Sequence, residues 1–417
     1  MEPFLGEARL TSHMLLRLLT FLAIAGSVAA QQPGAITDPI VTAKDAKQSY
    51  ALYLPSTYTS KRQWPVLFVF DPDAQGKRAA EVFREAAERY GYIVAASNNS
   101  KNGPRRDQAE AALAMMADVQ QRFPLDGKRI YAAGFSGGAR MAGLVGFLCH
   151  GCVRAVIACG AGFPDNLSAD KKKQLPAYFF TVGEYDFNYF DVMDSARALQ
   201  APAVVAVFDG VHQWPPPEVA MRAVAWTAGG ASERQVAPVT PAETAQRKRQ
   251  QELVRPIVSA LARFLHPESA GPQAELGNTT DDASDPGQDL GDARQAMAAL
   301  RKKRAEATGG DVVVLRRALG QAYAHTYESG EALELEGKPR LAAGFYEVAA
   351  AGIAPDPYLT YHIAAAWAAA SEKKKALATL KQAVALGFHD AERVQADPHF
   401  AALRQSPELR AIVESMR

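Results

Sequence analysis

The chain alternates two hydrophobic periods through its first half and keeps only one of them in its second. Between Ser49 and Trp214, apolar runs of strand length recur as YALYL, WPVLFVF, YIVAAS, RIYAAG, RAVIAC, AYFFTV and AVVAVF. Most are apolar at consecutive positions, as strands of a parallel sheet covered on both faces must be. Helical patterns lie between them. KRAAEVFREAAERY runs into Gly91, a natural helix stop, and DQAEAALAMMADVQQRF sets Met116, Val119 and Phe123 on one face. Strands alternating with helices predict right-handed crossovers and a doubly wound, mostly parallel α/β sheet.

Beyond Gly229 the strand-length runs stop. AETAQRKRQQELVRPIVSALARFL predicts one long helix, packed on the sheet or bridging out of it. HPESAGPQAELGNTTDDASDPGQDL is polar, acidic and rich in Gly, Pro and Ser, and reads as a linker. The remainder is helical. Ala364, Trp367, Ala376, Leu380 and Ala383 fall at spacings that resemble a tetratricopeptide repeat, whose small residues let two antiparallel helices approach closely. Stepping back 34 residues meets Ala342, Tyr346 and Ala349, with Pro355 after the helix. The first helix of that earlier unit would be LRRALGQAYAHTY, with Gly320 and Tyr323 in the matching roles. The step from Gly320 to Ala342 is 22 residues against 12 from Ala364 to Ala376, so ten residues must be inserted. A plain array of helical hairpins is the alternative. The repeat resemblance implies a concave face for a protein or peptide partner. Two repeats fall short of the roughly three that stand alone. The tail therefore either holds more helices, as DAERVQADPHFAALRQSPELRAIVESM suggests, or docks on the first half. The divisions expected are a leader over 1–30, an α/β domain with trailing helices over 31–265, a linker over 266–290 and a helical repeat domain over 291–417.

Composition narrows the class. Of 417 residues, 48% are hydrophobic and 22% charged, enough for a large core, and the net charge of +1 argues against nucleic acid as a partner. Arg9 and Arg17 flank the start of LLTFLAIAGSVAAQQP, whose apolar run is short and ends in small residues. Val28 and Ala30 suit cleavage before Gln31, so the N-terminus reads as a secretory signal, with no stable membrane insertion after its removal. Export to the periplasm or the exterior follows as an expectation. A membrane anchor is the alternative, though the run is short of the roughly 20 residues that span a bilayer. The three cysteines are Cys149, Cys152 and Cys159. CHGC can be a bridge, a redox pair or half of a metal site, but no second ligand pair follows, which favours structural cysteines, free or paired.

The candidate chemistry begins with GFSGG, Gly134 to Gly138, which falls where the strand RIYAAG meets the helix GARMAGLVGFL. There, G-x-S-x-G describes a nucleophile elbow: a strained turn that lifts Ser136 above the sheet edge and needs neighbours without side chains. A hydroxyl needs a base. Of eight histidines, His13 lies in the leader, His266, His325, His362, His389 and His399 fall outside the sheet region, and His150 follows the elbow helix. His212 alone follows a strand, in AVVAVFDGVHQWPP. The orienting carboxylate should follow AYFFTVG. Asp186 sits three residues past Gly183, while Glu184 competes and Asp191 reads as a helix N-cap.

The order Ser136, Asp186, His212 resembles that of the α/β-hydrolases, from about Gln48 to Ala228. GFSGGARMA and GVHQWP look most like the secreted esterase group that includes polyhydroxybutyrate depolymerase-like and feruloyl esterase-like enzymes. Val211 stands where many members carry a second glycine. The resemblance implies an oxyanion hole built from the N–H of Gly137 and a donor in DPDAQG; Pro72 has no N–H, leaving Asp73 or Ala74. Phe135 and Trp214, neighbours in sequence of the nucleophile and the base, are expected to line the substrate pocket. It implies acyl transfer with no metal or organic cofactor. Only GAGFPDNLSADKKKQL separates RAVIAC from AYFFTV, which predicts no large lid and an open cleft for bulky or polymer-attached esters. SNNSKNGPRR is expected to be a solvated loop. Two other readings stay open: a degenerate scaffold whose helical domain binds a protein or peptide, and a serine peptidase.

Overall fold

The computed structural model describes residues 31–149, 151–164, 173–265 and 290–416. The leader, His150, His266 and nearly all of the expected linker therefore lie outside the described residues, as does the middle of the GAGFPDNLSADKKKQL connection.

Eight strands form one sheet: β1 (Ile36–Val41), β2 (Ser49–Tyr53), β3 (Trp64–Phe70), β4 (Ile93–Ser97), β5 (Leu125–Phe135), β6 (Val153–Cys159), β7 (Ala177–Gly183) and β8 (Ala203–Phe208). Their spatial order is β1-β2-β4-β3-β5-β6-β7-β8. The first two strands run antiparallel to their neighbours and all later pairs are parallel. This is the doubly wound sheet that the two periods predict, in the α/β-hydrolase order. Only β1 escapes the pattern. It is an edge strand with Pro39 inside it and a register shift between Thr37 and Ile40, and it buries Ile40 alone; edges are where a strand tolerates proline.

The consecutive apolar positions feed two cores, one on each face. Phe68, Ala132, Val156 and Phe180 share one with Met116 and Val119 of helix α2 (Arg105–Arg122). Their chain neighbours Val69, Ala133, Ile157 and Phe179 share the other with Phe83 of helix α1 (Gly76–Tyr90). Neighbouring residues of a strand point to opposite faces, so each run had to be apolar throughout. Helix α3 (Gly137–Leu148) leaves β5, α4 (Tyr189–Ala198) follows β7 and α5 (Pro217–Ala228) follows β8. Cys149 and Cys152 are joined in a disulfide just past α3. Burial pushes the Cys159 thiol up to about 12, which leaves it inert at neutral pH.

Helix α6 (Pro241–Leu265) belongs to both halves. Near its start, Glu243 accepts from the Arg197 guanidinium and Arg247 donates to Asp194, both partners standing on α4. Near its end, Val254, Ile257 and Leu261 enter the core of the helical region. That region comprises α7 (Gly291–Ala305), α8 (Asp311–Leu335), α9 (Pro339–Ala351), α10 (Pro357–Ala369), α11 (Lys373–Ala385), α12 (Ala391–Ala396), a 3₁₀ turn and α13 (Pro407–Glu414). Helices α9, α10 and α11 have 13 residues each, and Ala342, Ala349, Ala364, Ala376 and Ala383 are buried among them. Helix α8 has 25 residues. The ten residues that broke the repeat spacing are simply more helix, and add about 15 Å of rod at 1.5 Å per residue.

Candidate active site

Ser136 stands between β5 and α3 with φ +52° and ψ −120°. A side-chain-bearing residue held there costs of order 1–3 kcal/mol, and its surroundings must enforce it. The glycines explain how the turn fits. A Cβ on Gly134 would run into the Gly138 carbonyl, and one on Gly138 into the Phe70 carbonyl at the end of β3. The Ser136 N–H donates to the Cys159 carbonyl at 2.8 Å, fixing the turn to β6.

Two loops deliver its partners. His212 Nε2 lies 2.9 Å from Ser136 Oγ, and His212 Nδ1 lies 3.0 Å from both carboxylate oxygens of Asp186. Asp186 is fully buried and also accepts the Asn188 N–H at 2.8 Å. The acid and base loops are stitched together where the Tyr185 N–H donates to the Gly210 carbonyl at 2.9 Å, and a Cβ on Gly183 would strike that same carbonyl. Gly160, at the tip of β6 with φ +66°, completes the frame. A Cβ there would come within 3.3 Å of Phe135, Asp186 and His212 at once. Nothing in the sequence pattern singled out Gly160, because the glycine serves a convergence of three distant segments.

The competing carboxylates have other work. Glu184 points to solvent and offers only its carbonyl to a contact described below. Asp191 is not the N-cap of α4; that position is Asn188, and Asp191 sits in the first turn, accepting from the Gly162 N–H at 2.9 Å and pairing with Arg140. Trp214 also departs from expectation. It is 7% exposed, its indole N–H donates to Asp71 at 3.1 Å, and its ring meets Phe83 edge-on. It braces the base loop from inside and offers substrate no face. Phe135 is half-buried, its ring against both His212 and Trp214.

The expected oxyanion donors divide. Gly137 opens α3, so its N–H has no intrahelical acceptor. The Asp73 N–H is already committed to the Asp71 carboxylate at 2.8 Å, and the Ala74 N–H to the Asp71 carbonyl at 3.1 Å. Asn102 stands beside Gly137 instead, so close that a Cβ on Gly137 would collide with its side-chain amide oxygen. Its N–H donates to the Pro72 carbonyl at 2.7 Å, so the SNNSKNGPRR loop, exposed from Lys101 to Pro104, also borders the site.

Helix α8 reaches the site from the helical region. Gly320 on α8 meets the ring of Phe187, which lies 4.2 Å from the His212 ring between centroids. Farther along, Tyr327 and Glu331 feel the charge of Asp73, on the loop after β3. Phe187 follows β7, which lies three strand spacings, about 14 Å, from β3. Gly320 and Glu331 are about 16 Å apart on an α-helix. Helix α8 thus touches the loop after β7 at Gly320 and, about 16 Å farther on, comes within electrostatic reach of the loop after β3. The expectation of an open cleft rests on the connection between β6 and β7, part of which lies outside the described residues.

Glu331 on the same helix is exposed, yet desolvation, then Glu328, Glu334 and Asp73, push its carboxyl up to about 7 against the small opposing pull of Lys101. Between the ordinary carboxyl value of 4.5 and about 7, the unfolded chain gives up this proton while the folded chain keeps it. Stability is thus lost as pH rises through that window, and the loss is complete above it. Glu331→Gln is expected to raise Tm at pH 8 and to leave it unchanged at pH 4; a Tm difference that stays flat between those pH values would contradict the assignment.

The sheet order, the strained turn and the chain order of the three converging side chains make this an α/β-hydrolase fold. No family model matches the chain, and no curated protein matches its sequence. Among solved structures it is similar to the S-formylglutathione hydrolase of Staphylococcus aureus, at 15% identity and TM-score 0.39 over 47% of this chain and 98% of the other. A hyperthermophilic esterase from Pyrobaculum calidifontis aligns at 15% identity and TM-score 0.39, over 48% and 88%. A thermophilic carboxylesterase cloned from a metagenomic library aligns at 17% and 0.39, over 52% and 94%. At these identities the likeness is one of backbone course over about half the chain.

Proposed function

We propose that the protein is a serine hydrolase that cleaves carboxylic esters through an acyl-enzyme. The observation that carries this reading is the unbroken relay from Asp186 through His212 to Ser136, at 3.0 and 2.9 Å. His212 Nε2 takes the Ser136 proton as Oγ attacks the acyl carbonyl. Asp186 holds the proton on Nδ1 and steadies the imidazolium that forms. The tetrahedral oxyanion faces the Gly137 N–H at the head of α3. His212 then returns its proton to the leaving alcohol, and water releases the acid by the same steps in reverse order of partners. Export is part of the proposal. The leader-like N-terminus supports it, and so does the Cys149–Cys152 bridge, a feature of oxidising compartments. A site with α8 along the Phe187 side suits an ester whose bulk extends outward along the rim.

The test uses the whole purified protein. A fluorophosphonate should label Ser136 stoichiometrically, and short-chain p-nitrophenyl esters should turn over with a burst of one p-nitrophenol per chain. Folded protein that neither labels nor turns over would favour the scaffold reading. Release from peptide p-nitroanilides at a comparable kcat/KM would make it a peptidase.

A further inference from the structure

We infer that the helical region positions the catalytic base: Gly320 and Arg317 on α8 hold the Phe187 loop against the His212 ring, so that the hydrolase site is complete only with α8 docked. The inference rests on the serine-hydrolase reading. Its starting point is a buried arginine that meets no carboxylate directly, though the charges of Glu184 and Asp186 reach it. Arg317 is 3% exposed, forms no ion pair among the described residues, and has a buried Nη1 without a hydrogen-bond partner. Burying a cation without a carboxylate to meet it is costly, and desolvation pulls its pKa down. What Arg317 does touch is the acid loop. Its Nε donates to the Glu184 carbonyl at 2.7 Å, and its guanidinium lies 3.6 Å from the centroid of the Tyr189 ring. Glu184 and Tyr189 bracket Asp186 and Phe187. The preceding residue, Arg316, lies 4.3 Å from the Tyr185 ring.

Gly320 lies nearly one turn beyond Arg317, on the same face of the rod. The nearest atoms to a Cβ placed on it are three carbons of Phe187, at 3.3 to 3.8 Å. The ring of Phe187 thus lies between the backbone of α8 and the imidazole, 4.2 Å from the latter. Phe135 packs on the imidazole as well, at 4.5 Å. An imidazole with aromatic packing and both nitrogens engaged has little freedom to swing off the serine. Reaching a productive geometry is where a displacement of about 1 Å can cost about a hundredfold. Phe187 is the transmitter, and the absent side chain at 320 is what lets it stand so close.

The experiment compares full-length Gly320→Leu, Arg317→Met and Arg317→Lys with the parent, alone and combined with Phe187→Ala. Active-site titre from fluorophosphonate stoichiometry separates misfolded from mispositioned molecules. The expected result is a full titre with kcat on p-nitrophenyl acetate lowered about 10- to 100-fold, and KM within about twofold. Arg317→Lys should recover part of the loss, since it keeps a donor for the Glu184 carbonyl. In the Phe187→Ala background, Gly320→Leu should have no further effect, because the path through the ring is already gone. A Gly320→Leu protein with full titre and the parent kcat would overturn the inference. So would a loss that tracks titre alone, with the labelled fraction turning over normally, or an undiminished Gly320→Leu effect without Phe187. A parent protein that neither labels nor turns over would sink the hydrolase reading itself, a different result.

Discussion

Ser136→Ala is expected to lower kcat by about 10⁶-fold, the scale on which loss of the nucleophile acts in a serine triad. Alanine adopts the same strained φ +52° no more and no less readily than serine, so the turn itself is unchanged. What disappears is the oxygen that bonds carbon, together with its 2.9 Å hydrogen bond to His212. The Gly137 N–H and the imidazole would remain, and such a remnant still polarises a carbonyl for slow attack by water. The variant should therefore bind substrate with nearly the parent KM, lose its burst and refuse the fluorophosphonate. The measurement is a steady-state and burst comparison at equal protein concentration. A variant retaining more than about a hundredth of the parent kcat would move the nucleophile elsewhere.

The second large effect concerns the acid. Asp186→Asn should cost about 10⁴-fold in kcat, with little change in stability. The cause is a count of donors. Asp186 presents acceptors only, to the Asn188 N–H at 2.8 Å and to His212 Nδ1 at 3.0 Å. An asparagine must keep its oxygen on the backbone N–H, which cannot be anything but a donor. Its amide nitrogen then faces Nδ1 and drives the ring proton onto Nε2, the position that must accept from serine. Glu184→Gln is the control and should stay within about twofold, because Glu184 makes its hydrogen bonds to Phe208 and Arg317 through its backbone, which the substitution keeps. Equal losses at both positions would deny Asp186 its special place.

What the chain disclosed, and what it withheld, follows from range. Consecutive apolar runs marked seven strands because each strand is buried on both faces, and β1 was lost because an edge needs only Ile40 inside. GFSGG was legible because a strained turn constrains five adjacent positions. His212 and Asp186 could be singled out because each follows the end of a strand, and strand ends of a parallel sheet share one rim. Trp214 misled, since an indole beside a base reads alike whether it faces substrate or core. The second oxyanion donor was placed on Asp73 or Ala74 because the loop was judged without its own hydrogen bonds, and Asp71 uses both. Asn102, Gly160 and Arg317 carry no local mark, and Gly320 was marked only as a repeat position. Each matters through a neighbour at least 24 residues away in the chain, such as Gly160 through Phe135, and periodicity has no access to that distance.

The bridging course of α6 has a practical side. Its first turns are clamped to α4 by Glu243 and Arg247, and its last turns give Val254, Ile257 and Leu261 to the other core. Cutting the gene after Leu265 to isolate a catalytic half would leave a sticky apolar stripe in water, and the product would tend to aggregate. Starting instead at residue 290 would strip the array of its first packing helix. The two halves are best expressed, stored and assayed as one polypeptide, whatever their separate ancestries.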